Sequence, residues 1–245
     1  MRFKNKIALV TGTDSGIGKQ IVNLLQKEGC KVIAGTTKKM KKKNIKHIYS
    51  FNLDVTKEHQ WKEAYDFINN KFGKLHILVN NAGIRISGNI ENTSLELWNR
   101  IINTNITSMF LGCKYIVPIL KKTKNTSIIN LASITSIRGV RNMLAYSSSK
   151  GAIVSFTASL ALDLIKHGIR VNAVAPGAVD TQMIWSLKKE IKSDKNFNKR
   201  IMDQHPIGRV AKPKEIATVV VFLASDESSF MTGLTIPVDG GRSIR

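Results

Sequence analysis

The sequence is short of cysteine, of long apolar runs and of acidic residues, and each shortage narrows what the chain can be. Its two cysteines, Cys30 and Cys113, sit at no metal-ligand spacing, so neither a disulfide framework nor a zinc site has support. No apolar run approaches the roughly 18–20 residues that cross a bilayer. The start, Met1-Arg2-Phe3-Lys4-Asn5-Lys6, leads into only Ile7-Ala8-Leu9-Val10 before Thr11 and Gly12. That stretch is too short for the apolar centre of a secretion signal, and a cytoplasmic protein with free thiols is expected, with no membrane partner. Acidic residues number 17 against 38 Lys and Arg, a formal charge of +21. Such an excess raises nucleic acid as a partner, because cationic surfaces attract phosphate backbones whatever their sequence. Lys outnumbers Arg 28 to 10, however, and the lysines are scattered among Asn and Ile. The pattern reads as compositional bias, no nucleic-acid motif accompanies it, and a nucleic-acid partner is not expected.

What is present is enough apolar material for a core. With 245 residues, 42% of them hydrophobic, the chain can bury the surface it needs to fold unaided, and its size suits one α/β domain over residues 1–245. Strand-like runs are expected at 6–11, 31–35, 47–51, 76–80, 127–131, 169–175 and 234–238. Helical stretches lie among them at 16–28, 57–72, 94–121, 145–167 and 213–224. Buried strands separated by helices imply a parallel sheet covered on both faces. The expected fold is a doubly wound Rossmann sheet of about seven strands in a three-layer αβα arrangement. Two segments break the rhythm. Residues 38–46 hold six lysines in nine positions, and residues 180–206 form a long polar connection of the kind that serves as a substrate lid.

The first strand runs into Thr11-Gly12-Thr13-Asp14-Ser15-Gly16-Ile17-Gly18 and straight on into a helix. Gly12 permits the tight turn, Gly16 lets backbone approach a pyrophosphate, and Gly18 allows close helix–strand packing. The helix N-terminus offers its unpaired N–H groups to the anion. Further on, Tyr146 and Lys150 stand four apart on a predicted helix and project from one face. A tyrosine titrating near 10 is a poor base at neutral pH, and a close ammonium would lower that value. Ser133 lies thirteen residues before the tyrosine.

Together these residues resemble the classical short-chain dehydrogenase/reductase family, whose glycine motif is Thr-Gly-x-x-x-Gly-x-Gly. The likeness continues through Asn80-Asn81-Ala82-Gly83, Asn105, Ser133, Tyr146-x-x-x-Lys150, Pro176-Gly177 and Val238-Asp239-Gly240-Gly241, in family order along essentially the whole chain. It implies hydride transfer between an NAD(P)(H) nicotinamide and a substrate carbinol or carbonyl carbon. Tyr146 would be general acid or base, Ser133 would position the substrate oxygen, and Asn105 would hold a water in the proton relay. Lys150, beside Tyr146, would bind the nicotinamide ribose. Gly12, Asp14, Ser15, Gly16, Ile17 and Gly18 would cradle the pyrophosphate. Asp54 and Val55 would flank the adenine, Asn81, Ala82 and Gly83 would pass the ribose, and Pro176, Gly177, Val179 and Thr181 would hold the carboxamide. Asn80 would chiefly stabilise the sheet. The lysine lies too near the tyrosine for the divergent enoyl reductases, and the glycine spacing differs from that of the extended epimerases and dehydratases.

The cofactor's form turns on the end of the second strand, where an acidic residue would hold the 2′-hydroxyl of NAD. Thr36, Thr37, Lys38 and Lys39 stand there instead. A charge-assisted contact of roughly 1.5–3 kcal/mol would favour NADP about ten- to a hundredfold. Asp14 argues the other way, since NADP enzymes of the family often carry a basic residue in that loop. The balance leans to NADP(H). Arg85, Thr135, Arg138, Arg141, Met143, Met183 and Trp185 are the candidate substrate residues, and the arginines are read either as binders of a carboxylate or phosphate or as solvated loop residues. His59, His76, His167 and His205 form no ligand pattern, so no metal is expected. The length of 180–206 and Asp239 favour a small polyol, sugar or cyclic alcohol over the β-ketoacyl-carrier-protein reductases. The alternative of another class is a nucleotide-sensing or nucleic-acid-binding protein on the same fold. By resemblance, the chain forms a homo-oligomer, a tetramer joined through its two long helices and the C-terminal strand, with Arg242-Ser243-Ile244-Arg245 near that interface.

Overall fold

The first strand shows how the sequence builds its layers. In β1, Ile7–Thr11, every residue is buried: Ala8 and Val10 face one apolar cluster while Ile7 and Leu9 face another, as a period of two requires. A computed structural model, described over residues 1–38, 46–190 and 196–245, places this strand near the middle of a seven-stranded parallel sheet in the order β3-β2-β1-β4-β5-β6-β7. The others are β2, Lys31–Thr36, β3, Ile48–Asn52, β4, Ile77–Asn80, β5, Thr126–Leu131, β6, Ile169–Pro176, and β7, Thr235–Val238. Each lies within one residue of its expected bounds.

One face of the sheet is covered by α1, Gly16–Lys27, and α8, Pro213–Ala224, through Ile21, Leu25, Ile216 and Val220. The other is covered by α2, Glu58–Phe72, α4, Ser108–Lys121, and α5, Leu144–Ile165, through Trp61, Ile68, Ile116 and Leu164. A buried polar chain ties these layers together. Asn80 donates to Asn130 Oδ1 at 2.9 Å, and Asn130 donates to Thr157 Oγ1 at 2.9 Å, which is the sheet-stabilising part expected of Asn80.

Two expectations need correction. The stretch expected as one helix from 94 to 121 is α3, Leu95–Ile102, then a π-helical turn, Asn103–Thr107, and then α4. The polar connection of 180–206 is largely helical, with α6, Gln182–Glu190, and α7, Phe197–Asp203. Phe197 is buried, and it packs with Met143, Tyr146, Trp185 and Ile201, which gives this polar stretch an apolar anchor. Most of the lysine cluster, residues 39–45, lies outside the described residues.

Candidate active site

The strand order changes direction between β1 and β4, so the loops leaving their carboxyl ends diverge and open a crevice. A cleft of about 1390 Å³ occupies that place, lined by the loops after β1, β4, β5 and β6. Gly12 has φ of +67°, and a Cβ there would stand 2.8 Å from Ala82 Cα. A Cβ on Gly18 would stand 2.2 Å from the Gly12 carbonyl oxygen. Asn81 fastens the two loops, donating from Nδ2 to the carbonyls of Thr11 at 2.8 Å and Gly12 at 2.9 Å. Ser15 stands at the N-cap of α1 with no capping hydrogen bond from its side chain, and no acidic residue follows in the first turn. The helix therefore presents N–H donors and positive dipole to the cleft, a surface that fits a dinucleotide pyrophosphate. Gly16, expected to face the pyrophosphate, meets Thr181, whose Cγ2 lies 3.0 Å from where a Cβ would be.

On the other side of the cleft the loop after β5 meets α5. Ser133, Tyr146 and Lys150 all line the cleft, and each is at most 8% exposed. Ser133 hydrogen-bonds the Tyr146 phenol while its own Oγ accepts from Thr135 N at 3.2 Å. Burial pushes the Tyr146 phenol up, and the Ser133 hydrogen bond and the charge of Arg85 pull it partly back. Lys150 Nζ donates to the Leu131 carbonyl at 2.6 Å and lies 5.8 Å from the centre of the Tyr146 ring. Burial brings the Lys150 ammonium down to about 8.

Asn105 sits in the π-helical turn at 1% exposure. Its Oδ1 accepts from Ile84 N at 2.8 Å, and its Nδ2 donates to Ile84 O at 2.9 Å and to Ser149 Oγ at 3.0 Å. Both amide protons are thus taken, so the side chain clamps the loop after β4 to α5. A Cβ on Gly83 would stand 3.2 Å from Asn105 Oδ1 and 3.6 Å from Lys150 Nζ. A glycine cradle, an open helix N-terminus and a buried Ser-Tyr-Lys set share one cleft, and likeness to known proteins follows the same line. A family model described as Enoyl-(Acyl carrier protein) reductase matches residues 12–243. The 3-oxoacyl-[acyl-carrier-protein] reductase FabG of Thermotoga maritima is 36% identical over 98% of this chain and 99% of its own length. The aldohexose dehydrogenase of Thermoplasma acidophilum superposes with a TM-score of 0.92 at 35% identity, over 99% of this chain and 96% of that one. The structure described as ElxO with NADP bound superposes at 0.90 with 34% identity, over 98% and 99%. The chain belongs to the classical short-chain dehydrogenase/reductase family. It is an NAD(P)-dependent oxidoreductase of the short-chain type, acting on CH–OH donors or the matching carbonyls.

Within this short-chain fold several expected residues stand apart from the cleft lining. Asp14 accepts a hydrogen bond from Thr36 Oγ1, and Thr36 Oγ1 accepts from Lys38 N at 3.0 Å, so these residues form a small network that ties the glycine loop to the end of β2. Thr37 is exposed beside them. Asp54 caps a turn through Thr56, and Val55 is buried in the sheet core. Among the substrate candidates, Arg85, Thr135, Arg138, Arg141, Met143 and Met183 line the cleft. Trp185 does not. It donates to Asp180 Oδ1 at 2.6 Å and packs against the Tyr146 cluster from behind. Pro176, Gly177, Val179 and Thr181 all line the cleft, as do Ile17, Ala82 and Gly83.

Sequence reasoning missed three residues. His205 Nε2 accepts from Ala178 N at 2.9 Å while Nδ1 faces Ile201 O at 2.8 Å, linking the loop after β6 to α7. Arg242 and Arg245 also line the cleft, although their sequence neighbourhood gives no signal beyond the preceding Asp239-Gly240-Gly241 turn. The Thermotoga reductase matches this chain almost end to end, over 98% of it and 99% of its own length, and so stands as near in overall build as the aldohexose dehydrogenase does. The length of 180–206 therefore does not separate this chain from the β-ketoacyl reductases.

Proposed function

We propose that the chain interconverts a secondary alcohol and a ketone on a small polyol, sugar or cyclic alcohol, with Tyr146 as general acid and base and NADP(H) preferred. The observation that carries this reading is that Ser133, Tyr146 and Lys150, all buried, line one cleft together with the glycine cradle. When bound, the nicotinamide supplies or takes up the hydride. Tyr146 then gives the carbonyl oxygen its proton, or removes the carbinol proton in the reverse direction. Ser133 orients that oxygen. Lys150 adds positive charge beside the ribose position, and Asn105 keeps the loop after β4 in register with α5.

The lean to NADP(H) is supported by the lack of a carboxylate at Thr36, Thr37 and Lys38 and by the NADP bound to ElxO. Asp14 on Thr36 is the counterweight. A second reading, reduction of a 3-oxoacyl group on a carrier protein, is favoured by the Thermotoga relative and would use the same residues. Helices α6 and α7 serve in either case as the lid of a single domain. Exposed Phe110 on α4 and Leu162 and Ile165 on α5 support assembly through these helices, as a tetramer. The two cysteines are free and buried, which supports a reducing, cytoplasmic setting.

The test is a panel of ketones, alcohols and a carrier-protein thioester, followed by nicotinamide absorbance with NADPH and NADH. Tyr146→Phe is expected to lose about 10²–10⁴-fold in turnover while still binding NADPH. Retained turnover in that variant would sink the mechanism.

A further inference from the structure

Arginine is distributed in this chain quite unlike lysine. Five of the ten arginines, Arg85, Arg138, Arg141, Arg242 and Arg245, line the one cleft. Of the 28 lysines, the described residues bring only Lys150 and Lys199 there. Among the described residues, Asp203 is the one acidic side chain in the lining. The scattered lysines explain the net charge of the molecule, but they do not explain this concentration.

The arginines are also held in place. Asp239, 8% exposed, accepts from Gly241 N at 3.1 Å and from Ser243 N at 2.7 Å, folding the segment that carries Arg242. The Arg138 guanidinium donates to the carbonyl of Arg242 at 2.5 Å and to that of Arg245 at 3.1 Å. The Arg245 guanidinium donates to the carbonyl of Asp203 at the end of α7. Arg138 and Arg245 thus spend donors on main-chain oxygens and fix the wall. Burial and the charges of Arg138 and Arg85 outweigh the opposing Asp239 carboxylate and hold the Arg242 guanidinium below its ordinary value, and the charge of Arg85 also reaches Tyr146. Like charges gathered in a half-buried wall repel one another, and a bound anion relieves that repulsion. These side chains come from the loops after β4 and β5 and from the C-terminal segment, and Arg85 is near enough to Tyr146 for its charge to act there.

We propose that the substrate carries an oxyanion, a carboxylate or a phosphate, on the same small molecule as its carbinol or carbonyl, and that Arg85 and Arg242 receive it. Guanidinium groups suit this because their planar donors match both oxyanions. The proposal rests on the oxidoreductase reading and names the substrate class of that site.

The test begins with binding. Malonate and inorganic phosphate are titrated calorimetrically into the protein saturated with NADPH, and the tighter of the two identifies the oxyanion. Arg85→Met and Arg242→Met should each weaken binding about ten- to a hundredfold, Arg242→Lys less, and Lys166→Met, on an exposed turn, not at all. Equal affinity in all variants would overturn the proposal. So would loss of anion binding on saturation with NADPH, which would assign the arginines to the cofactor phosphates. In turnover with NADPH, acetoacetate should be preferred over ethyl acetoacetate at least tenfold, with the ratio falling toward one in Arg85→Met. Preference for the ester, or activity confined to a carrier-protein thioester, would overturn it. Anion binding that persists in a protein turning over neither these nor any member of the ketone and alcohol panel would count against the oxidoreductase reading and leave the anion site standing.

Discussion

Lys150 is buried against a carbonyl and has no carboxylate partner among the described residues, and that environment ties its catalytic position to the stability of the protein. Its ammonium titrates at about 8 in the folded chain and near 10.4 when unfolded. Between those values the unfolded chain binds more protons, so this residue makes stability rise as pH climbs from about 8 to about 10.4. Below about 8 the buried charge is a standing cost. Lys150→Met should therefore abolish turnover while leaving the melting temperature at neutral pH unchanged or higher, and the gain from wild type to variant should shrink as pH rises toward 10. A clear loss of stability in the variant across that range would show that the bond to Leu131 outweighs the buried charge. The positions of Tyr146, Lys150, Ser133 and Gly12 were legible because each rests on short spacing within one strand, turn or helix. The places of Arg242 and Arg245 were not, because a bond from Arg138, 104 residues away from Arg242, holds that segment at the cleft.

Between the secondary-structure elements, His205 is the joint that the sequence concealed. To accept the Ala178 N–H its Nε2 must be unprotonated, so Nδ1 carries the proton toward Ile201. Burial lowers its titration below the ordinary histidine value. The link is therefore whole above about pH 6.5 and is lost as pH falls through the lowered value. Limited proteolysis within residues 180–206 should accelerate on acidification in the wild type, and His205→Gln should flatten that dependence. Parallel pH profiles for the two proteins would remove His205 as the cause. The strands and major helices were readable because buried runs of period two and helical faces are written locally. The π-helical turn at Asn105 was not, since its sequence keeps an ordinary helical pattern and the extra residue is accommodated by the bonds to Ile84 and Ser149. Helices α6 and α7 escaped because both are short and polar, anchored by single residues such as Phe197.

Across the molecule, the exposed apolar side chains on the outer helices matter more than the +21 charge. Leu162 is 76% exposed on α5 and Phe110 50% exposed on α4, surfaces that water disfavours unless another copy covers them. Leu162→Lys is expected to shift the light-scattering mass of the purified protein from that of the proposed tetramer toward smaller species, and an unchanged mass would place the contact elsewhere. The folded C-terminal segment has a practical consequence as well. Arg242 and Arg245 form part of the cleft wall, so a charged affinity tag inserted next to Arg245 would sit at the substrate mouth and compete with its charge. A tag ahead of Met1, which is 88% exposed and packs near Gly29, would leave the mouth clear, and kinetics from differently tagged preparations should differ for that reason alone.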